Sequence, residues 1–268
     1  MLKRALTLAS LALFFAGLNS CAKTADETTS QELSQDIQDK ILALGFSPQN
    51  ARAADDGYVV EGDIYLTRED LDRQLGYQLL RVGDEEQYRT TNLVTGLPRN
   101  ITVWIDAGSG GKKLPTSYIA ALDEAIARYN AENLQITFTR ISSSSAEIDV
   151  TRSNGNYLAS AGFPTGGNPY GSIKVNSNAI GNQPQSTVAS ILAHEMGHCI
   201  GFRHTDYMDR SFSCGGQAVN EGAANVGAIL IPGTPSGPDP NSWMLSCIGA
   251  GQNRPFNNND KTALDFLY

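Results

Sequence analysis

The three histidines of this 268-residue chain all fall within eleven residues, at positions 194, 198 and 204. Random placement of three histidines would give this spacing about once in 12,000 arrangements, so chance does not explain the cluster. His194 and His198 are four residues apart and therefore lie one turn apart on the same face of a helix. Imidazole nitrogens presented in this way can share one metal ion. The spacing therefore predicts a metal site.

His204 can reach the same site only if the helix ends between His198 and His204. A continued helix would rotate His204 by roughly 240° from His198 and carry it about 9 Å along the axis. Gly201 lies where a left-handed turn would end the helix and bring His204 back. Three imidazoles with one open position are typical of catalytic zinc, whereas structural zinc sites have four protein ligands. The pattern predicts Zn²⁺ held by His194, His198 and His204.

Glu195 follows the first ligand and can reach the open side of the metal without binding it. We expect Glu195 to take a proton from a zinc-bound water and to deliver it to the departing amine of a peptide bond. The alternatives are a structural metal site and hydrogen-bonded core histidines, and neither explains the glutamate or Gly201. Asp206 is expected to orient His204 or a loop, and the alternative is that it only caps local backbone.

A buried helix and several strands must hold these residues in place. Apolar residues at helical spacing predict the helix over about 186–199, and a second helix from 115 has the same spacing. A terminal helix is predicted over 261–268. Alternating or β-rich segments predict strands at residues 101–106, 135–141, 146–152 and 171–176.

The composition is that of a loop-rich globular protein, with 41% hydrophobic and 18% charged residues. The net charge is −8, and no Lys/Arg-rich run follows residue 4. A protein that binds nucleic acid through phosphate contacts is therefore not expected. We expect a monomer.

The motif HEMGHCIGFRH at 194–204 resembles the HExxHxxGxxH zinc signature of the metzincin clan of metalloendopeptidases. The clan pattern also contains a downstream Met-turn, and Ser242-Trp243-Met244 matches it 40 residues after His204. Together with the terminal ALDFLY, these motifs are similar to the bacterial dual-action HEIGH metallopeptidase family, with Met196 where that name has isoleucine. The resemblance covers about residues 100–268. Ser246 stands where some clan members carry a tyrosine, so a tyrosine ligand is not expected.

The resemblance implies an α+β, metzincin-like fold: a twisted, mostly parallel sheet over an active-site helix, with a small C-terminal subdomain after Gly201. In this clan an edge strand binds extended peptide in antiparallel fashion, and residues 171–176 are the candidate. Residues 205–242 are expected to form the wall of the pocket beyond the scissile bond. The implied activity is that of a zinc metalloendopeptidase. A binding lipoprotein without turnover and a zinc hydrolase of small substrates are the alternatives.

The N-terminus predicts export. Lys3 and Arg4 precede an apolar run at 5–18, which is too short for a membrane span of about 20 residues. Residues 18–21 (LNSC) resemble a bacterial lipobox, so residues 1–20 are expected to be a signal peptide and Cys21 the lipidated residue. A generic signal peptide with an incidental cysteine is the alternative. The expected location is the outer membrane, either at its periplasmic face or at the cell surface. The protein is expected to contact the membrane only through its lipid anchor. Cleavage from the anchor would release a secreted form.

Residues 60–64 (VEGDI) resemble the aspartate switch of astacin propeptides, with Val60 replacing phenylalanine. An aspartate carboxylate fits the open position of zinc, so Asp63 is the expected latency switch. We expect residues 21–95 to form a tether and propeptide, removed near Arg89 or Arg99 in an exposed boundary, and residues 96–268 to form the catalytic domain. The alternative is that Gly62-Asp63 is a bulge or turn.

Three cysteines remain after Cys21, at 199, 214 and 247. An exported protein favours one disulfide among them, and the sequence leaves all three pairings open.

Overall fold

The computed structural model describes residues 33–44, 46–72, 87–222, 227–235 and 237–268. The predicted signal peptide, Cys21 and the first part of the tether lie outside the described residues. None of the helices in the described ranges is both long and apolar enough to cross a membrane.

Alternating apolar residues build a central five-stranded sheet, because every second side chain of a strand faces the same side. Its strands are β5 (Arg99–Ile105), β6 (Ile136–Arg140), β7 (Ile148–Arg152), β8 (Ala159–Ser160) and β9 (Ser172–Val175). The order is β6-β5-β7-β9-β8, with three parallel pairs and one antiparallel pair, that of β8 with β9. The predicted mixed α/β architecture with a mostly parallel sheet is confirmed, while a small C-terminal subdomain stays a prediction.

The predicted edge strand is wrong. Residues 172–175 form β9, which pairs with β7 on one side and with β8 on the other. The strand at the edge is β8, which is only two residues long. Alternation over two residues gives no recognisable signal, so sequence patterning could not find it.

Two helices, α3 (Ser117–Asn130) and α5 (Gln185–Cys199), share the main hydrophobic core with the sheet. Helix α5 is central, because every residue from Thr187 to Cys199 is buried. The Tyr129 hydroxyl donates to the Ala193 carbonyl oxygen at 2.7 Å and ties α3 to α5 one residue before His194. The core therefore fixes the helix that carries the HEMGH motif.

The N-terminal part of the described chain forms a second, smaller layer. It contains α1 (Gln35–Leu44), β1 (Arg52–Ala54), β2 (Gly57–Val60), β3 (Ile64–Thr67) and α2 (Arg68–Asp72). The strands form an antiparallel sheet in the order β1-β2-β3, and Thr67 and Asp70 cap α2 reciprocally. Phe163, from the other side of the predicted boundary at residue 95, packs in the same hydrophobic cluster as Ile41 and Phe46. Residues 32–268 are one compact unit.

The remaining elements surround the site. They are β4 (Tyr88–Arg89), α4 (Ser177–Ile180), α6 (Ser211–Cys214), β10 (Ile229–Leu230) and α7 (Asn258–Leu267). Strand β4 pairs with β10, and Arg99 begins β5 and forms an ion pair with Glu147 at 2.6 Å. The expectation of an exposed boundary carrying Arg89 and Arg99 is therefore wrong, since both residues are half-buried in strands.

Candidate metal centre

Helix α5 and the turn that ends it bring the three histidines together. The helix ends at Cys199, and Gly201 adopts a φ of 109°, a value that favours glycine. A Cβ at Gly201 would lie 2.7 Å from the Asn92 carbonyl oxygen. The chain then turns back so that His204 Nε2 lies 3.2 Å from His198 Nε2. The turn expected at Gly201 is confirmed.

Asp63 joins the histidines from the N-terminal layer. Its Oδ2 lies 3.1 Å from His204 Nε2 and 3.5 Å from His194 Nε2. One ligand atom from each of Asp63, His194, His198 and His204 falls within 4.8 Å of the others, and all four residues are buried. Gly62 and Asp63 also lie in the turn between β2 and β3. The segment is therefore a turn, as one expectation had it, and it also brings Asp63 to the histidines, as the other had it.

The outer nitrogen of each ring faces an acceptor. His194 Nδ1 lies 2.9 Å from the Trp243 carbonyl oxygen and His198 Nδ1 lies 2.8 Å from the Phe202 carbonyl oxygen. His204 Nδ1 lies 2.9 and 3.0 Å from the two oxygens of Glu221. These acceptors require a proton on each Nδ1, so that in the neutral form of a ring its Nε2 lone pair is the one directed into the cluster.

This donor set fits a cation. Two nitrogens that each lie 2.0–2.1 Å from a tetrahedral zinc ion are about 3.3 Å apart, close to the observed separation of His198 and His204. His194 Nε2 and Asp63 Oδ1 are buried and have no hydrogen-bond partner among the described residues. A buried lone pair without a donor is unfavourable, and a bound cation removes that penalty. Neutral imidazole and carboxylate are ligands of zinc.

Glu195 is beside the cluster and is not among its ligand atoms. It is 2% exposed, and its Oε2 has no hydrogen-bond partner in the described part of the chain. Burial raises the pKa of Glu195 well above its ordinary value, and the nearby Asp63 carboxylate adds to the increase. A carboxyl group with a raised pKa in this position can exchange a proton with a reacting molecule.

Met244 packs against the helix between the two histidines of the HEMGH motif. A Cβ at Gly197 would lie 2.6 Å from Met244 Sδ and 3.1 Å from Trp243 Nε1, so only glycine leaves room for this turn. The Met244 carbonyl oxygen accepts from the Thr205 backbone N–H at 2.9 Å. The predicted Met-turn residues therefore contact the chain beside His198 and His204.

Two contacts of the site were missed by the sequence reasoning. Glu221, not Asp206, contacts His204. Asp206 instead accepts from the Ser246 backbone N–H and from the Ser213 hydroxyl, contacts that fit the expected role in orienting a loop and not the capping of local backbone. The second is a buried ion pair of Glu61 with Arg203, at 2.8 Å. In both contacts the two residues are too far apart in the sequence for a spacing pattern to predict them.

A cavity of about 330 Å³ opens beside His194 and Glu195. Its walls include Ser190 and Ile191 of α5, residues 245–248, and residues 156–159, which lead into β8. The N-terminal layer adds Asn50, Arg52, Gly62 and Asp63. The expectation that residues 205–242 form the pocket wall is wrong in the main, because Arg210 is the one described lining residue from that segment. Cys214 and Cys247 form a disulfide beside this wall, and Cys199 is a buried free thiol.

Comparison with known proteins adds a family. The family described as dual-action HEIGH metallo-peptidase matches residues 58–268. No curated protein matches the chain. Two solved structures of myroilysin are similar to the chain at 16% and 15% sequence identity, each over 66% of this chain and over 96% and 86% of theirs, and both have a TM-score of 0.42.

Proposed function

The chain belongs to the dual-action HEIGH metallo-peptidases, and on this premise we propose that it hydrolyses peptide bonds as a zinc endopeptidase with Glu195 as its general base. The observation that carries the proposal is the convergence of three buried Nε2 atoms beside a buried carboxyl group that is not a ligand. In this assignment His194, His198 and His204 hold the ion, and Met244 supports them.

A zinc ion bound here would lower the pKa of its water toward ~7 and polarise the scissile carbonyl. Glu195 Oε2 takes one proton of the water as the water oxygen attacks the carbonyl carbon. Glu195 then gives this proton to the amine nitrogen as the C–N bond breaks, which leaves one carboxyl and one amine product.

The substrate is proposed to be an extended polypeptide that pairs with the edge of β8. Residues 156–159 line the cavity, and Ala161, just beyond β8, forms a β-bridge with Ile64 of the N-terminal layer. The Ala161 N–H donates to the Asp63 carbonyl oxygen at 3.1 Å, and the Tyr65 N–H donates to the Ala161 carbonyl oxygen at 2.9 Å. The chain's own N-terminal layer therefore uses an edge that a substrate strand would need.

Asp63 is proposed to keep the precursor latent. Its carboxylate, 3.1 Å from His204 Nε2, would take the place of the water, and the buried ion pair of Glu61 with Arg203 anchors the same turn. Gly62 adopts a φ of 97° there, a value that favours glycine, and a Cβ would also lie 2.5 Å from Arg210 Nη2. Release of this segment, as part of a propeptide within residues 21–95, would expose both the histidines and the β8 edge.

The test uses the full chain as wild type, Asp63→Ala, and Asp63→Ala with Glu195→Gln, each with its zinc content measured. We expect Asp63→Ala to cleave a denatured protein faster than the wild type, and the added Glu195→Gln to abolish cleavage with one zinc retained. Asp123→Asn in the Asp63→Ala chain is the matched control, because Asp123 pairs with Arg140 on the surface. Equal cleavage by the Glu195→Gln chain would refute the general-base role, and an unchanged rate in Asp63→Ala would refute the latency role.

Export as a lipoprotein anchored through Cys21 is also proposed, on the strength of the basic, apolar and LNSC segments. In a bacterial host, Cys21→Ser is expected to abolish incorporation of labelled fatty acid and to move the protein from the membrane fraction to the soluble fraction. Labelling that survives the substitution would contradict the anchor.

A further inference from the structure

An arginine faces the cavity beside the catalytic glutamate. Arg254 lines the same space as His194 and Glu195, together with the apolar residues Ile191 and Ile248. A substrate side chain that flanks the scissile bond and enters this space would meet both apolar groups and an arginine.

Arg254 is fixed in place by neutral groups. Its backbone N–H donates to Ser190 Oγ at 2.9 Å, which ties it to α5. Its Nη1 donates to the Cys247 carbonyl oxygen at 2.6 Å and its Nη2 to Gln252 Oε1 at 3.2 Å. A guanidinium has five N–H donors, so the contacts described leave donors for a further acceptor.

No carboxylate of the described residues lies within 4 Å of the Arg254 nitrogens. The two acidic residues that line the cavity, Asp63 and Glu195, lie with the histidines. Of the other lining arginines, Arg210 pairs with Glu221 and Arg52 donates to the Gly62 carbonyl oxygen. Partial burial lowers the pKa of Arg254, while the more distant carboxylates of Asp206 and Asp260 act in the opposite direction. The group remains a cation, and the acceptors that it contacts directly are neutral.

We propose that Arg254 selects substrates with an aspartate or glutamate next to the scissile bond. The inference rests on the proposed peptidase function and adds its substrate class. A carboxylate in this pocket would accept from the planar guanidinium in a partly water-excluded site, where charge-assisted hydrogen bonds are strong. The apolar walls would pack against the methylene groups of the same side chain.

The test is a pair of peptides that differ only by aspartate or asparagine at the flanking position. The proteins are full chains with Asp63→Ala, alone or with Arg254→Gln, Arg254→Lys or Arg152→Gln. Arg152 is a matched control, because it is half-buried and donates to a backbone carbonyl and to a side-chain amide outside the cavity. The ratio of kcat/KM for the two peptides cancels any effect of a substitution on folding or zinc content.

We expect the full chain with Asp63→Ala alone to prefer the aspartate peptide by about 10- to 100-fold, and the added Arg152→Gln to leave this preference unchanged. The added Arg254→Gln should remove nearly all of the preference, and Arg254→Lys should give an intermediate value. No preference before substitution, or a preference that survives Arg254→Gln, would overturn the proposal while leaving the peptidase function intact. If neither peptide is cleaved, the peptidase function fails, and binding of zinc-loaded protein to matched aspartyl and asparaginyl peptide hydroxamates decides the pocket. Tighter aspartyl binding that depends on Arg254 would support the pocket, and equal binding would overturn it.

Discussion

The Glu221 carboxylate contacts His204 Nδ1 through both of its oxygens, at 2.9 and 3.0 Å. The corresponding nitrogens of His194 and His198 contact backbone carbonyl oxygens. His204 is therefore the one histidine of the three whose outer nitrogen contacts a full negative charge, and Glu221 is 1% exposed. Such a carboxylate fixes the tautomer and orientation of a metal-binding imidazole and raises its basicity.

Glu221→Gln is expected to lower zinc affinity by about 10- to 100-fold, because an amide can accept from Nδ1 but supplies no charge. Competition with a chromogenic chelator measures this change directly. The control is Glu147→Gln, which removes a carboxylate that pairs with Arg99. Glu147 is far from the histidines in sequence, so this substitution is expected to leave zinc affinity unchanged. Equal affinities in the two variants would show that Glu221 does not support the ligand.

Loss of the ion pair between Glu61 and Arg203 is expected to lower the free energy of unfolding strongly. Both side chains are 1% exposed, and the guanidinium lies 5.7 Å from the Phe46 ring centroid and 5.5 Å from that of Tyr207. Glu61→Ala would leave Arg203 buried without its carboxylate, which typically costs about 3–5 kcal/mol of unfolding free energy.

Urea unfolding of the full chain measures this loss. The comparison is Asp123→Ala, which breaks a surface pair with Arg140 and is expected to cost less than about 1 kcal/mol. If Glu61→Ala is no more damaging than Asp123→Ala, water reaches Arg203 and the pair does not anchor the N-terminal layer.

The sequence predicted the parts of the site that depend on local geometry. Helical spacing brought His194 and His198 to one face, and the need to end the helix identified Gly201. Glu221 could not be predicted, because it lies 17 residues beyond His204 in a segment without periodicity, and a loop's path is set by tertiary contacts. The edge strand was misplaced for a related reason, since the short β8 leaves no alternating pattern.

The catalytic unit is expected to begin at Gln87 and not at residue 96. The Gln87 side chain is fully buried and donates to Ser242 Oγ at 3.0 Å and to Asp260 Oδ1 at 2.8 Å. Its carbonyl oxygen accepts from the Ile231 N–H, and the Thr90 N–H donates to the Gly201 carbonyl oxygen. A chain that starts at residue 96 would leave these buried groups without partners.

Thermal unfolding of two truncated chains, 87–268 and 96–268, tests this boundary. The longer chain is expected to unfold cooperatively, and the shorter one to lose its cooperative transition or aggregate. Equal transition temperatures for the two truncated chains would show that the catalytic unit can begin at residue 96.

Asp260 is expected to make the protein less stable as the pH rises. Its carboxyl group is fully buried beneath the Met-turn, where its Oδ2 accepts from the Trp243 and Asn257 backbone N–H groups. Burial raises its pKa from 3.8 to about 7, despite these hydrogen bonds.

The sign of the effect follows from the two protonation states. Between pH 4 and pH 7 the folded chain holds a proton on Asp260 that the unfolded chain has lost, so stability falls as the pH rises through this window. The loss is on the order of 3–4 kcal/mol, since each pKa unit corresponds to about 1.4 kcal/mol. Asp260→Asn cannot ionise, so its unfolding free energy relative to the wild type should rise by this amount between pH 4 and pH 8 in urea titrations. A constant difference between the two proteins across this range would mean that Asp260 is ionised in the folded chain throughout.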